Sequence, residues 1–254
     1  MSYEKSRLAE AEAVLGKVAA ADNGAALWLE ERRRVQAGEL DDRPLYWRRL
    51  TLPDDPAGLA SSRNYQPAFR HEVDFRVLVT GFDPFNLDEH IDQSNPSGVI
   101  ALSLDQVALE SQGKTAEIRS FIVPVRFADF DRGLIERLIE PLLDTLDLLL
   151  TLSMGGVRID LERFPGLRRS SDRHDNDKLL GGGTEQVPVT PPGLMGPEFV
   201  EFSLPAEIMR EVLGDFEIKD NRTVTTLERG EISVDNLEAL ADQRSVQGSG
   251  GGYL

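Results

Sequence analysis

The sequence predicts an α/β fold: three layers, α/β/α, around a largely parallel central sheet, preceded by an N-terminal helical extension. Three observations carry this expectation. Residues 75–80, 118–123 and 146–152 are short runs rich in β-branched and aliphatic side chains, the composition of strands buried on both faces. Segments with helical spacing separate them, opening at Asn95-Pro96-Ser97 and running from 127 to 142. Strand, helix, strand, helix, strand in that order implies right-handed crossovers, hence parallel pairing with helices on both faces.

Residues 1–38 carry two helical patterns. Leu8, Ala11, Val14, Leu15 and Val18 recur at helical spacing, and after a break at Asn23-Gly24 the run 25–35 resumes it with Leu27, Trp28 and Leu29. Between 38 and 71, Pro44, Pro53, Pro56 and Pro67 stand among Asp, Gly and Ser, which predicts an extended connector anchored by Leu45, Tyr46 and Trp47. The division expected is therefore an extension and connector over 1–70 and an α/β domain over 71–254.

Within that domain, strand 75–80 leads directly into Gly81 and a long polar loop. Asn95 then has the side chain of an N-cap, and Pro96 suits a first helical turn, where its missing N–H has no partner. Val99, Ile100, Leu102 and Leu104 follow on that helix, and Phe130, Leu134, Leu138 and Ile139 share one face of the next. Residues 155–197 are loop-rich, 205–213 form a helix, 214–243 give mixed polar signals, and 244–248 read as another central strand running into a glycine-rich turn.

Composition narrows the function classes. A chain of 254 residues suits one α/β domain or a domain plus an extension. Its longest apolar stretch, 146–154, is too short to span a bilayer, and the N-terminus lacks the apolar core of a secretory signal, so a cytoplasmic protein is expected. A net charge of −16 repels nucleic-acid backbones and anionic membranes, and the arginine clusters at 32–34 and 168–169 are short enough to be solvated or ion-paired. Neither nucleic acid nor membrane is an expected partner; self-association stays open. The absence of cysteine excludes disulfides, thiolate zinc sites and thiol chemistry within these residues. With His71, His90 and His174 as the whole histidine complement, no metal site and no cofactor are expected.

Ligands of open parallel sheets bind at the carboxyl ends of the strands. Three segments fall there: Gly81-Phe82-Asp83-Pro84-Phe85, Met154-Gly155-Gly156 with the following Leu161-Glu162-Arg163, and 248–253. Phe82 and Phe85 are either two walls of a small apolar pocket or side chains buried in the sheet edge. Glu162 beside Arg163 is either a catalytic carboxylate or half of a surface ion pair. Asp172, His174, Asp175 and Asp177 specify no coordination geometry and read as a mobile, solvated loop. Ser249, between Gly248 and Gly250, lacks the glycine spacing of a hydrolase elbow.

Taken in order, several of these pieces resemble pyroglutamyl peptidase I, the pyrrolidone-carboxylate peptidase family of cysteine peptidases. Val79-Thr80-Gly81-Phe82-Asp83-Pro84-Phe85 is similar to its Val-Thr-Gly-Phe-Glu-Pro-Phe, and Asn95-Pro96-Ser97 to its Asn-Pro-Ser. Val123-Pro124-Val125-Arg126-Phe127 looks like its Leu-Pro-Val-x-Phe, Ile159-Asp160-Leu161-Glu162-Arg163 like its Ile-x-x-Glu-Arg, and Asp175-Asn176 like the end of its Pro-Asp-Asn. Phe202-Ser203-Leu204-Pro205 resembles Phe-Ser-x-Leu-Pro with one residue deleted. Gly248-Ser249-Gly250-Gly251-Gly252-Tyr253-Leu254 resembles Asn-Ser-Ala-Gly-x-Tyr-x, the nucleophile loop, after which the family has Cys-Asn.

The resemblance implies removal of an N-terminal pyroglutamate from peptides. A cysteine thiolate attacks the carbonyl that links pyroglutamate to the next residue, a histidine serves as base and then acid, and a carboxylate orients the histidine. That carboxylate maps onto Glu162, and the two phenylalanines that sandwich the lactam map onto Phe82 and Phe85. The chain departs from the pattern at Leu152 and Gly156, which replace a glutamine and an arginine, and at Leu167, where the family has asparagine. Cysteine and the later histidine are missing, so the expectation is a divergent member cut off before its nucleophile, inactive as it stands and marginally stable. The alternative is a non-catalytic binding module on the same fold, with its N-terminal helices meeting a partner.

Overall fold

A computed structural model describes residues 2–21, 23–52, 67–70, 72–171, 173–181, 183–190, 195–214 and 216–246. The chain opens with helices α1 (Tyr3–Ser6), α2 (Leu8–Leu15), α3 (Gly24–Gln36) and α4 (Arg43–Arg49). Asn23, read from the sequence as part of a break, caps α3: its side-chain oxygen accepts the N–H of Ala26 at 2.8 Å. Helix α4 occupies a stretch expected to be extended. Pro44 sits in its first turn, where a missing N–H is harmless, and Leu45, Tyr46 and Trp47 are all buried.

The central sheet contains β1 (Phe75–Phe82), β2 (Ala108–Ser111), β3 (Lys114–Val123) and β4 (Leu148–Thr151), in the order β2-β3-β1-β4. β1 runs parallel to β3 from Phe75↔Ala116 to Phe82↔Val123, and parallel to β4 from Val77↔Leu148 to Thr80↔Thr151. Helix α5 (Pro96–Leu104) lies in the crossover from β1 and packs on both β1 and β3. The fold is thus α/β with a largely parallel sheet, as the sequence predicts. Its edge strand β2 was not foreseen: it pairs antiparallel with β3 through a two-residue turn, Gln112-Gly113, with φ of 52° and 75°. Positive φ at both positions matches the twist of a hairpin.

The helix expected over 127–142 is two helices, α6 (Phe127–Asp131) and α7 (Leu134–Leu143), divided at Gly133, whose φ is 62°. A left-handed residue cannot continue a right-handed helix, which accounts for the interruption.

The chain divides into two compact units. The first comprises Met1–Asp129, Leu134–Met154 and Asp175–Leu179 and holds the sheet together with the N-terminal helices. One of its cores joins Leu27, Trp28 and Val35 of α3 to Leu45, Ala101, Leu102 and Ile122; another joins Ala11, Tyr46, Trp47, Leu50 and Leu87. The apolar stripes of α2 to α4 are thereby spent on the sheet's own helix and loop.

The second unit comprises Phe130–Gly133, Gly155–His174 and Leu180–Leu254. It contains β5 (Ile159–Glu162), a short hairpin of β6 (Gly183–Thr184) and β7 (Val187–Pro188), helix α8 (Ala206–Val212) and β8 (Ile218–Asn221) paired parallel to β5. An antiparallel pair, β9 (Thr223–Thr226) and β10 (Gly230–Ser233), and a 3-10 helix, Leu237–Leu240, complete it. Phe164, Phe199, Val224, Val234 and Leu240 form its main apolar cluster. Of the central strand expected over 244–248, residues 247 and 248 lie outside the described residues, and 244–246 form no strand. Ser245 makes a single antiparallel bridge to Thr226, while its N–H and hydroxyl go to the Glu198 carboxylate at 3.0 and 3.1 Å. Among the described residues no helix is long and apolar enough to cross a membrane.

Candidate functional site

The carboxyl end of β1 meets the start of α5 at very close range. A Cβ on Gly81 would fall inside the backbone carbonyl of Ser97, and one on Gly98 would come within 2.8 Å of the Phe82 carbonyl oxygen. Glycine is required at both positions for the strand and helix to approach this closely. Polar groups then lock the junction. The Phe82 N–H donates to Ser97 Oγ at 3.0 Å, and Asn95 Oδ1 accepts from the Ser97 N–H at 3.0 Å and from its hydroxyl at 2.8 Å. Asn95 Nδ2 reaches back to the carbonyl of Asp83 at 2.9 Å. The Asn-Pro-Ser triplet is both a helix cap and a clasp on the preceding loop.

Asp83 is held on every side. Its N–H donates to the Val123 carbonyl at 2.9 Å, continuing the β1/β3 ladder, and its buried carboxylate pairs with the buried guanidinium of Arg49 from α4. On either side of this fixed residue stand Phe82 and Phe85, each half-buried.

Residues 175–179 buttress the same loop. The Asp175 carboxylate accepts the N–H groups of Phe127, Asp177 and Leu179, each at 2.9 Å, and Asn176 Nδ2 donates to the Pro84 carbonyl at 2.8 Å. The solvated-loop reading of this acidic segment is therefore corrected for Asp175, which is buried: its oxygens are taken up by backbone donors. His174 and His90 are exposed. Among the described residues no group of three or more His, Cys, Asp or Glu could hold a metal ion.

Leu152, which stands where the resemblance has glutamine, is half-buried and continues the sheet ladder through its N–H to the Thr80 carbonyl at 2.9 Å; Gly156 is exposed. Glu162 belongs to the second unit, at the end of β5. Its Oε2 accepts Asn221 Nδ2 at 2.9 Å from the paired position of β8, and although the residue is solvent-accessible, desolvation of its carboxyl by neighbouring atoms raises its pKa against that hydrogen bond. Arg163 turns instead to Asp220, at 2.8 Å. Residues Gly248, Ser249, Gly250, Gly251 and Tyr253 of the expected nucleophile loop, and His71, lie outside the described residues.

Among the buried carboxylates that the sequence does not single out are Asp42 and Asp105. Asp42, the residue before α4, accepts Ser94 Oγ at 2.6 Å and the Asn95 N–H at 2.9 Å, and burial pushes its pKa up to about 6. Asp105, just beyond α5, accepts Trp28 Nε1 at 3.1 Å, the Ser120 N–H at 3.0 Å and the guanidiniums of Arg32 and Arg119 at 3.3 and 3.2 Å. Arg119 is itself pushed down to about 10, by burial and then by Arg32. An Asp followed by Pro two residues later is a helix-start signal that would have revealed α4 and Asp42.

An open α/β sheet with a clasped glycine–phenylalanine loop at its carboxyl rim defines the class. Residues 76–203 match the family described as PA0049, C-terminal domain, and the chain belongs to that family. It is 28% identical over 181 residues to the uncharacterized protein PA0049 of Pseudomonas aeruginosa, a match that takes in 53% of this chain and 33% of the relative. The chain thus spans about a third of the length of that relative. Among solved structures, it is similar to pyroglutamyl peptidase I of Bacillus amyloliquefaciens, with 21% identity and a TM-score of 0.44 over 58% of this chain and 66% of the other. Pyrrolidone carboxyl peptidase from the hyperthermophile Pyrococcus furiosus gives 21% and 0.44 over 58% and 65%.

Proposed function

We propose that the loop after β1 is a recognition site for an N-terminal pyroglutamyl group, with Phe82 and Phe85 as the two apolar walls of a slot for the uncharged lactam. The observation that carries this reading is the state of the two rings. They stand three residues apart, half-buried, one at the end of β1 and one on the loop after it, with the backbone tied down at Phe82, Asp83 and Pro84. A fixed backbone with incompletely buried aromatic side chains suits a pre-formed apolar slot, since the ligand need not order the loop. The ordered series of motifs from Val79 to Pro205 supports the same class of substrate.

Peptide cleavage of the pyroglutamyl-peptidase type further requires a thiolate and a histidine oriented by a carboxylate, the part we assign to Glu162. The 254 residues contain no cysteine, so these residues alone bind without hydrolysing. Titration with a pyroglutamyl amide should show saturable binding, weakened about tenfold or more by Phe82→Ala and by Phe85→Ala, the scale of one lost aromatic wall. Unchanged affinity in both variants sinks the proposal. Release of a fluorophore from a pyroglutamyl amide should stay at the level of a Glu162→Ala control; turnover above it refutes the non-hydrolysing assignment.

A further inference from the structure

We infer that the N-terminal helical segment is a working part of the phenylalanine loop, with Arg49 as the positioning residue that sets the loop through Asp83. The inference rests on the reading of that loop as the ligand site. Asp83 opens the loop after β1, between Phe82 and Phe85, and its backbone N–H and carbonyl are already engaged by Val123 and Asn95. What remains is its carboxylate, which ends on the Arg49 guanidinium; Arg49 is 2% and Asp83 4% exposed. These two residues are 34 positions apart and lie on either side of the stretch from which the helical segment passes into the sheet.

Other contacts from the same segment close around the loop. Arg7, between α1 and α2, donates to the carbonyl of Leu87 and lies 3.5 Å from Asp88. Leu87 packs with Ala11, Tyr46, Trp47 and Leu50. At α1, the Glu4 N–H reaches Asp177 at 3.4 Å, and the Glu4 carboxylate accepts the Tyr46 hydroxyl at 3.1 Å. Asp177 neighbours Asn176, which holds Pro84, so the helical segment braces the loop both directly and through residues 175–179.

The physical consequence is specific. Removing the guanidinium strands a carboxylate in a dry site, and a stranded charge is far more unfavourable than a missing pair. The cheapest relief is for the loop to open until Asp83 is hydrated, which separates Phe82 from Phe85. Removing both charges leaves only a neutral amide, whose burial is less unfavourable than that of a stranded carboxylate, so the double variant should hold the loop better than the single one.

The test is amide hydrogen exchange on the full chain, for wild type, Arg49→Met, Arg49→Lys and the double variant Arg49→Met/Asp83→Asn, with pyroglutamyl-amide titration alongside. Arg49→Met should speed exchange at Phe82 and Asp83, whose N–H groups are hydrogen-bonded, on the order of a hundredfold, the scale of breaking a buried charge pair, while residues 118–122 of β3 keep their protection. The double variant and Arg49→Lys should recover most of that protection. If Arg49→Met unfolds outright, those two variants decide: near-wild-type loop exchange in both supports the assignment, and loop exchange in the double variant faster on the order of a hundredfold overturns it. Loop exchange unchanged in a folded Arg49→Met also overturns it. A wild-type chain that binds no lactam, yet loosens in Arg49→Met, sinks the ligand reading and leaves the positioning role standing.

Discussion

The Asp42 carboxylate accepts the backbone N–H of Asn95 at 2.9 Å, with the residue only 1% exposed, so the start of α4 and the start of α5 are joined by a single buried acid. Its other oxygen takes the Ser94 hydroxyl at 2.6 Å. These two bonds favour the charged form, but burial, assisted by the neighbouring charge of Asp41, outweighs them and lifts the pKa to about 6.

A carboxyl whose folded pKa is raised contributes stability that is full below its unfolded pKa and is lost as pH rises through the folded value. For Asp42 the window runs from 3.8 to about 6. Asp42→Asn retains an acceptor for Asn95 and cannot ionise. Its stability relative to wild type should improve by on the order of 3 kcal/mol between acid and neutral pH, the equivalent of a shift of about two pKa units. Urea unfolding of both proteins at several pH values checks this; a difference that does not vary with pH refutes it.

At Gly81 the added Cβ of alanine meets the Ser97 backbone, which cannot rotate away as a side chain would. Gly81→Ala should lose about 3 kcal/mol, the upper part of the overpacking range. Gly156→Ala is the control, because nothing lies within 4 Å of the new methyl. Equal unfolding midpoints for the two variants contradict the close approach described at the β1/α5 junction.

Asn176 is buried and spends its amide on the Pro84 carbonyl. Asn176→Ala should destabilise by about 1–3 kcal/mol, the penalty for leaving a buried acceptor unmet. Asn176→Asp should be worse at neutral pH, because it turns a carboxylate toward the same carbonyl. The order of thermal midpoints, wild type above Ala above Asp, is the readout, and an aspartate variant at least as stable as the alanine variant reverses the assignment.

Asp105, fully buried, is the shared acceptor for two arginines, a tryptophan and a backbone N–H. Asp105→Ala takes the common carboxylate from Arg32 and Arg119 and should destabilise by about 3–5 kcal/mol. Chemical denaturation followed by far-ultraviolet circular dichroism tests this, and a loss below about 1 kcal/mol, the level of a surface pair, contradicts the network.

The strands and the α5 cap are legible because their signals are local. Residues 77–80 are an uninterrupted β-branched and aliphatic run, 118–123 keep four apolar residues around Arg119-Ser120, and Asn95-Pro96 carries both a cap and a first-turn proline. Helix α4 is hidden because Pro44 reads as a breaker, although proline in a first turn supports a helix. Strand β2 is exposed along its length and has no buried face to impose alternation; the positive-φ pair Gln112-Gly113 is its one local sign. Strands β8 to β10 are short, with buried positions only at Ile218, Val224 and Thr226. Phe82, Phe85 and Glu162 are visible in the sequence as motif residues. Arg49 is not: an ion pair between residues 34 apart leaves no periodic trace, and its meaning depends on α4 and β1 meeting in space.

The hairpin at Gln112-Gly113 gives this sheet a direction of growth. Successive β-α-β crossovers preserve strand direction, and the reversed edge strand β2 interrupts that sequence on one flank. Elaboration by parallel strands, whether by evolution or by engineering, is thereby channelled to the flank beside β4. Each such strand would deliver its following loop to the rim where Phe82 stands, so new specificity can be added next to the existing loop without rebuilding it.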